Sequence, residues 1–197
     1  MRTLYLEPPA QDLLFREART ANAFSDEPVT DGQIQAIYDL VKYAPTAINS
    51  QPLRVFLVRS DDAHDRLLKH MSEGNREKTA SAPLVAILAA DVDFHEYLPR
   101  TFPHVPGIKD NFSNADSREQ TARFNSSLQI AYFLLGVRAA GLAAGPMGGF
   151  DAEGLDADFF PDGRYKSQLV VNIGRPAENA WHPRLPRLDY TEVVTSL

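Results

Sequence analysis

"LVAILAA", Leu84 to Ala90, is seven residues with no polar side chain among them. A strand with one wet face alternates apolar and polar residues, so an uninterrupted run calls for cover on both faces. The stretch is also far shorter than the ~20 apolar residues of a membrane-spanning helix. It reads as a strand buried on both sides, and the segments around it must supply the cover.

Working outward, "RVFLVR" (54–59) alternates and reads as a second strand, and "QLVVNIG" (168–174) as the last clear one. Between the first two strands, 61–80 reads as a single helix, beginning after Ser60 and stopping before Pro83. Residues 11–18 read as helical, with Leu13, Leu14 and Phe15 toward a core. Thr30-Asp31-Gly32-Gln33 is a capping-box pattern. The helix it opens carries Ile34, Ile37, Tyr38 and Val41 on one stripe and ends ahead of Pro45. A long helix runs from about Arg118 to Ala140, with Gly141 as its stop. Its half "LQIAYFLLGVRAA" is apolar nearly all round, which asks for a second subunit over the outer face. The order is helix, helix, strand, helix, strand, long helix, strand and tail. Helices outnumber well-separated strands, so the fold class is α+β, a sheet sandwiched by helices.

One domain over 1–197 suits this length. Residues 99–117, rich in Pro, Gly and Asn, form a long loop and a candidate active-site lid. Residues 175–197 form a C-terminal arm. Composition is that of an ordinary globular protein, 44% hydrophobic and 23% charged. Twenty basic against 26 acidic residues give −6 with no basic block, which argues against nucleic acid or an anionic membrane as partner. The absence of cysteine removes disulfides, thiolate catalysis and thiolate metal sites. The five histidines do not fall at metal-ligand spacing, so no metal is expected. The opening "MRTLYLEPPAQ" has no apolar core of signal-peptide length, and the expected location is cytoplasmic.

No common catalytic signature occurs, and "GPMGGF" (145–150) has the wrong spacing for a dinucleotide fingerprint. Five stretches are unusual in one way. "ARTANAF" gathers Arg19, Thr20 and Asn22; "PTAINSQP" presents hydroxyl and amide groups from Pro45, Thr46 and Asn49 on a backbone stiffened at both ends. "GNREK" puts Asn75 and Lys78 on one helical face. "GPMGGFD" has glycines that admit close backbone approach, and "HPRLPRLDYTEVV" has two arginines among prolines. Taken singly, these are a solvated helix end, a turn, a soluble helix face, a helix exit and a surface tail. Together they supply what one flavin mononucleotide needs: arginines and hydroxyls for a phosphate, amides for a ribityl chain, backbone donors and a cation for the ring.

With those motifs in this order, the sequence resembles the FMN-dependent nitroreductase superfamily over nearly its whole length. The closer likeness is to the malonic semialdehyde reductase branch, which has similar forms of "ARTxNxF", "GPMxGFD", "INIG" and "RLPRL". The resemblance implies a sandwich with a mainly antiparallel central sheet, completed by homodimerisation, with FMN at the dimer interface. It implies that Arg19, Thr20 and Asn22 meet the phosphate and the ribityl or pyrimidine edge. Pro45, Thr46 and Asn49 would line one face of the flavin, and Asn75 and Lys78 its pyrimidine side. There Lys78 would compensate the charge gathered at N1 and O2. Pro146, Met147, Gly148 and Gly149 would pass near N5. Arg184, with His182 or Arg187, would hold the phosphate.

Many members have a basic residue where this chain has Asn22, and others an acid where it has Gly148. The implied activity is hydride relay from NAD(P)H through flavin N5 to a small aldehyde acid, malonic semialdehyde giving 3-hydroxypropionate. Arg100 and Lys109, chosen by position in the long loop, are the candidate clamps for its carboxylate. A broad nitroaromatic or quinone reductase is the alternative enzyme. A protein that holds or senses FMN without turnover is the alternative of another class.

Overall fold

The computed structural model of the protein describes residues 4–197, so Met1–Thr3 of the opening stretch lie outside the described residues. The helices are α1 (Pro8–Gln11), α2 (Asp31–Val41), α3 (Asp61–His70), α4 (Glu73–Ala80), α5 (Leu98–Thr101), α6 (Ala115–Ala139), α7 (Ala152–Phe159) and α8 (Tyr190–Val193). The strands are β1 (Leu53–Val58), β2 (Leu84–Asp91), β3 (Ala143–Met147) and β4 (Tyr165–Gly174). They form one sheet in the order β1-β2-β4-β3, every pair antiparallel.

β2 is buried along its whole length, as its composition requires. Leu84, Ala86 and Leu88 face a core with Ile37 of α2 and Ile130, Phe133 and Val137 of α6. Val85, Ile87 and Ala89 face the opposite core with Leu67 and Met71 from the α3 side and Leu155 of α7. The period of two thus places successive β2 residues in different cores. Both layers follow from the one apolar run.

Charge closes the end of the sheet where β1 begins. Asp91, fully buried, accepts from Arg164 Nε and Nη2, both at 2.9 Å, and from Arg54 Nη2 at 2.8 Å. The hydrogen-bonded Asp91 carboxylate holds the Arg164 guanidinium above its usual pKa. Tyr97 lies under both guanidinium groups, and its hydroxyl accepts from Arg164 at 3.2 Å.

Several expectations are corrected. The helix over 61–80 is two helices, because Met71 is extended and forms a bridge with Phe150. Residues 11–18 hold the end of α1 and a π-helical turn, Asp12–Arg16, with Leu13 and Phe15 exposed and only Leu14 half-buried. Tyr38 is likewise exposed, while Ile37 is buried. The long helix begins at Ala115, capped by the Asn114 side chain on the Ser117 N–H.

Residues 99–117 are not a bare loop. They contain the end of α5, a 3-10 turn (Ile108–Phe112) and the start of α6, and Phe102, Ile108 and Phe112 pack on Phe94, Leu98 and Ala122. "GPMGGF" is half strand, because Gly145, Pro146 and Met147 pair with β4. Proline hides this strand from a propensity reading, yet an edge strand tolerates it.

Candidate functional site

The residues singled out by motif divide among three places. The first is a cavity of about 460 Å³ lined by Arg19, Thr20, Arg138, Pro146 and Arg187 over Leu134 and Ala144. The segment before α2 is fixed to β3 here, since the Ala21 N–H donates to Ala144 O at 3.0 Å. Arg184 comes to the same side of the chain, donating to Arg16 O and, at 3.2 Å, to Ala18 O. Arg19 pairs loosely with Glu17, at 3.8 Å, and lies over the Trp181 ring.

Arg138 was not singled out in the sequence, since it lies in the helix half read there as apolar nearly all round. Burial lowers its pKa, and repulsion from Arg184 lowers it further. Two arginines that repel one another beside a third and a fourth make a site that an anion would relax.

The second place is the end of β3. Gly149 packs so tightly on the start of α4 that an added Cβ would lie 2.6 Å from Asn75 Nδ2 and 2.8 Å from Ser72 Oγ. Gly148 is exposed, with open space where its Cβ would stand. Asn75 donates to Gly149 O at 2.9 Å and to Ser72 Oγ at 3.1 Å, so its amide serves the loop. Lys78 is half-buried, and its backbone is fixed because Asn172 Nδ2 donates to Lys78 O at 2.9 Å. Asn22 donates to Thr20 O at 3.3 Å, and His182 is exposed on the arm.

The third place lies at the other edge of the sheet. "PTAINSQP" runs into β1, and Ile48, Asn49 and Gln51 all have positive φ, near 50°. For a β-branched residue such as Ile48 this backbone is strained. The strain is held by the buried Asn125, whose Oδ1 accepts from the Ala47 N–H at 2.7 Å. Asn49 Nδ2 donates to Thr101 O at 2.8 Å, and Thr46 Oγ1 accepts from the Gln51 N–H at 3.2 Å. Pro45, ahead of this turn, is exposed. Beside the loop is a cavity of about 650 Å³ lined by Ser50, Gln51, Arg54, Arg100, Gln129 and Phe133, among others. Arg100 reaches that cavity; Lys109 instead pairs with Glu96 at 3.0 Å.

β1 and β3 are opposite edges with two strands between them, a separation of about 14 Å at ordinary strand spacing. Within one chain, Thr46 and Asn49 are therefore apart from the arginine cavity and the β3 loop. The family model described as "Nitroreductase family" matches residues 15–175, which include both edges. The chain belongs to the nitroreductase family.

Relatives within that family match the chain end to end. A Streptomyces coelicolor protein named "Putative NADH dehydrogenase/NAD(P)H nitroreductase" is 63% identical over 196 residues, covering 99% of this chain and all of its own. The fold recurs in a nitroreductase family protein from Streptococcus pneumoniae, with TM-score 0.78, 21% identity, and 93% and 98% of the two chains covered. It recurs also in the FMN complex of a "putative nitroreductase" from Exiguobacterium sibiricum, with TM-score 0.82, 18% identity, and 99% and 100% covered. Among the described residues no group of three or more His or acidic side chains could hold a metal ion. No described helix is long and apolar enough to cross a membrane.

Proposed function

We propose that this chain is an FMN-dependent NAD(P)H oxidoreductase that acts as a homodimer. The observation that carries this reading is the cavity lined by Arg19, Arg138 and Arg187, with Ala144 and Pro146 of β3, the strand from which the glycine loop leaves, also in its lining. The donor set fits a flavin mononucleotide: crowded guanidinium groups and Thr20 for a dianionic phosphate, and a glycine backbone open to close approach. The FMN bound by the Exiguobacterium relative and the NAD(P)H in the Streptomyces relative's name support the same assignment.

Bound FMN supplies the two-electron chemistry, between NAD(P)H and an oxidised acceptor. The protein's own residues bind and orient it. Arg19, Arg184 and Arg187, with Arg138, would neutralise the phosphate, and His182 belongs to the same C-terminal arm as Arg184 and Arg187. Thr20 and Asn22 serve the ribityl or pyrimidine edge. Gly148 and Gly149 would offer backbone to the ring of a bound flavin, with Pro146 and Met147 leading into them. Lys78 would stabilise negative charge at its pyrimidine edge. Pro45, Thr46 and Asn49 are supplied by the second copy, since one chain holds them at the far edge of the sheet.

The dimer has further support on the surface. Phe124, Leu128, Ala131 and Tyr132 form an exposed stripe on α6, and every residue from His182 to Leu197 is exposed. An obligate interface covering them should bury more than ~2,000 Å² in total. Sedimentation should find a stable dimer at micromolar concentration, and a monomer there would overturn the shared site.

For the acceptor, the relative's name favours nitro compounds, with quinones as chemically similar acceptors. Malonic semialdehyde is the second reading. It is supported by the likeness of "ARTANAF", "GPMGGFD" and "RLPRL" to that branch, and by Arg100 at the larger cavity as a cation for a small carboxylate. The test is one assay on purified protein, which should be yellow with bound FMN. NADH and NADPH oxidation is followed with malonic semialdehyde and with a nitroaromatic side by side, and kcat/KM ranks the two. A yellow protein that oxidises neither nucleotide would be a flavin-holding protein, and a colourless one that ignores added FMN would end the reading.

A further inference from the structure

Ser72 stands at the N-cap of α4, yet its hydroxyl does not cap the helix. A serine in that position ordinarily accepts a hydrogen bond from the helix's own N–H groups. Here Ser72 Oγ donates instead to Gly149 O at 2.7 Å. The Ser72 N–H donates to the same oxygen at 3.1 Å, and Asn75 Nδ2 adds a third bond at 2.9 Å. A carbonyl oxygen has two lone pairs, so three donors over-determine its direction. The neighbouring bridge between Met71 and Phe150, and the bond from the Asp151 N–H to His70 O at 2.8 Å, tie the same loop to the same break between α3 and α4. The interruption at Met71–Ser72 thus has a use: a continuous helix would carry neither the extended Met71 nor a serine free to face β3.

We infer that Ser72 is a positioning residue, which fixes the Gly148–Gly149 backbone at the height and angle from which it meets the flavin. This rests on the FMN reading above for its functional half, while the tether itself is made by the chain's own atoms. Ser72 acts through Gly149 and touches no reacting atom. Its hydroxyl is worth one neutral hydrogen bond, so its loss should be felt as about a tenfold change in how often the loop opens. Ser72 is exposed, so Ser72→Ala leaves no cavity and the variant is expected to fold.

The experiment has two arms on the full-length protein. In the first, amide hydrogen exchange is followed without flavin in wild type, Ser72→Ala and Ser72→Thr. Exchange at the Ser72 and Asp151 amides, which are bonded across the tether, should quicken about tenfold in the alanine variant and return toward wild type in the threonine variant, which keeps a hydroxyl. In the second, FMN is added, and its dissociation constant and the rate of its reduction by NADH are measured. Reduction should slow by a similar factor in Ser72→Ala, more than affinity falls, with threonine again restoring it. Unchanged exchange at the Ser72 and Asp151 amides would overturn the tether. Faster exchange with an unchanged reduction rate would overturn the positioning role and leave Ser72 a structural residue. If wild type takes up no FMN, the cofactor reading fails, and the positioning role fails with it, while the exchange arm still decides the tether.

Discussion

Loop 45–52 and loop 148–150 hang from the two edge strands of one sheet, and they are built in opposite ways. The first forces three non-glycine residues to positive φ and is backed by charge: Arg54, paired with the Asp91 carboxylate, donates from Nη1 to Gln51 O. The second takes its shape from glycine, and neutral donors from Ser72 and Asn75 hold it. A strained turn keeps its form only while its surroundings over-determine it, so its rigidity is expensive to build and to lose. A glycine loop costs little to shape and must be tethered to stay in place. Two copies, each giving one kind of loop, would confront a ligand with a rigid wall and an adjustable one.

The largest effect should come from the charged end. Asp91→Ala leaves two guanidinium groups over Tyr97 without their carboxylate, and breaking such a buried cluster costs ~3–5 kcal/mol. Denaturant unfolding should show that loss, and a loss below about 1 kcal/mol would mean that the strained loop does not depend on the cluster.

Next is Lys78→Met, beside the tethered loop. Removing a preorganised charge partner costs ~2.7–4 kcal/mol of barrier, so flavin reduction in stopped flow should slow about a hundredfold or more. FMN affinity should fall less, since the oxidised ring carries little charge there. A wild-type rate would make Lys78 a surface lysine.

Asn125→Ala tests the first loop directly. It removes the acceptor of the Ala47 N–H and should cost about 1–2 kcal/mol, with faster exchange at Ala47–Gln51 and no change at the Ser72 and Asp151 amides of the second loop. Faster exchange at both loops would join what the comparison separates.

The smallest effect is electrostatic. Hydrogen bonds from Arg66 first, then from His70, hold the Asp158 carboxyl below the usual carboxylate range, tying α3 to α7 beneath the glycine loop. A depressed folded pKa gives stability above about pH 4 that is lost as pH falls through the lowered value. Asp158 is a third exposed, so the difference should stay under about 1 kcal/mol. Between pH 5 and pH 3, the urea midpoint of Asp158→Asn should fall less steeply than that of wild type. Parallel slopes would remove Asp158 from the acid dependence.

How far the sequence was legible follows which interactions are local. The apolar run Leu84–Ala90, the capping box at Thr30 and the alternation of 54–59 each declare themselves within a few residues, because period and cap chemistry are local properties. They implied the two-sided sheet, and the chain of short polar motifs implied an anion and a planar ligand. β3 was hidden, since Gly145 and Pro146 have poor strand propensity and pair only because β4 lies beside them. The break at Met71 was hidden too, because the helical pattern runs through it and the competing partner, Phe150, is 79 positions away.

Arg138 and Asn125 looked like parts of one long helix. Their roles come from Arg184 and from Ala47, which are distant in sequence. The sequence by itself determined the layers, the polar character of the first loop, the glycines of the second and the family. Only the tertiary structure decided which motifs share a site, since that depends on strand order, and strand order is a contest among non-local pairings. By that contest β1 and β3 became opposite edges, and the residues of "PTAINSQP" were parted from the arginines.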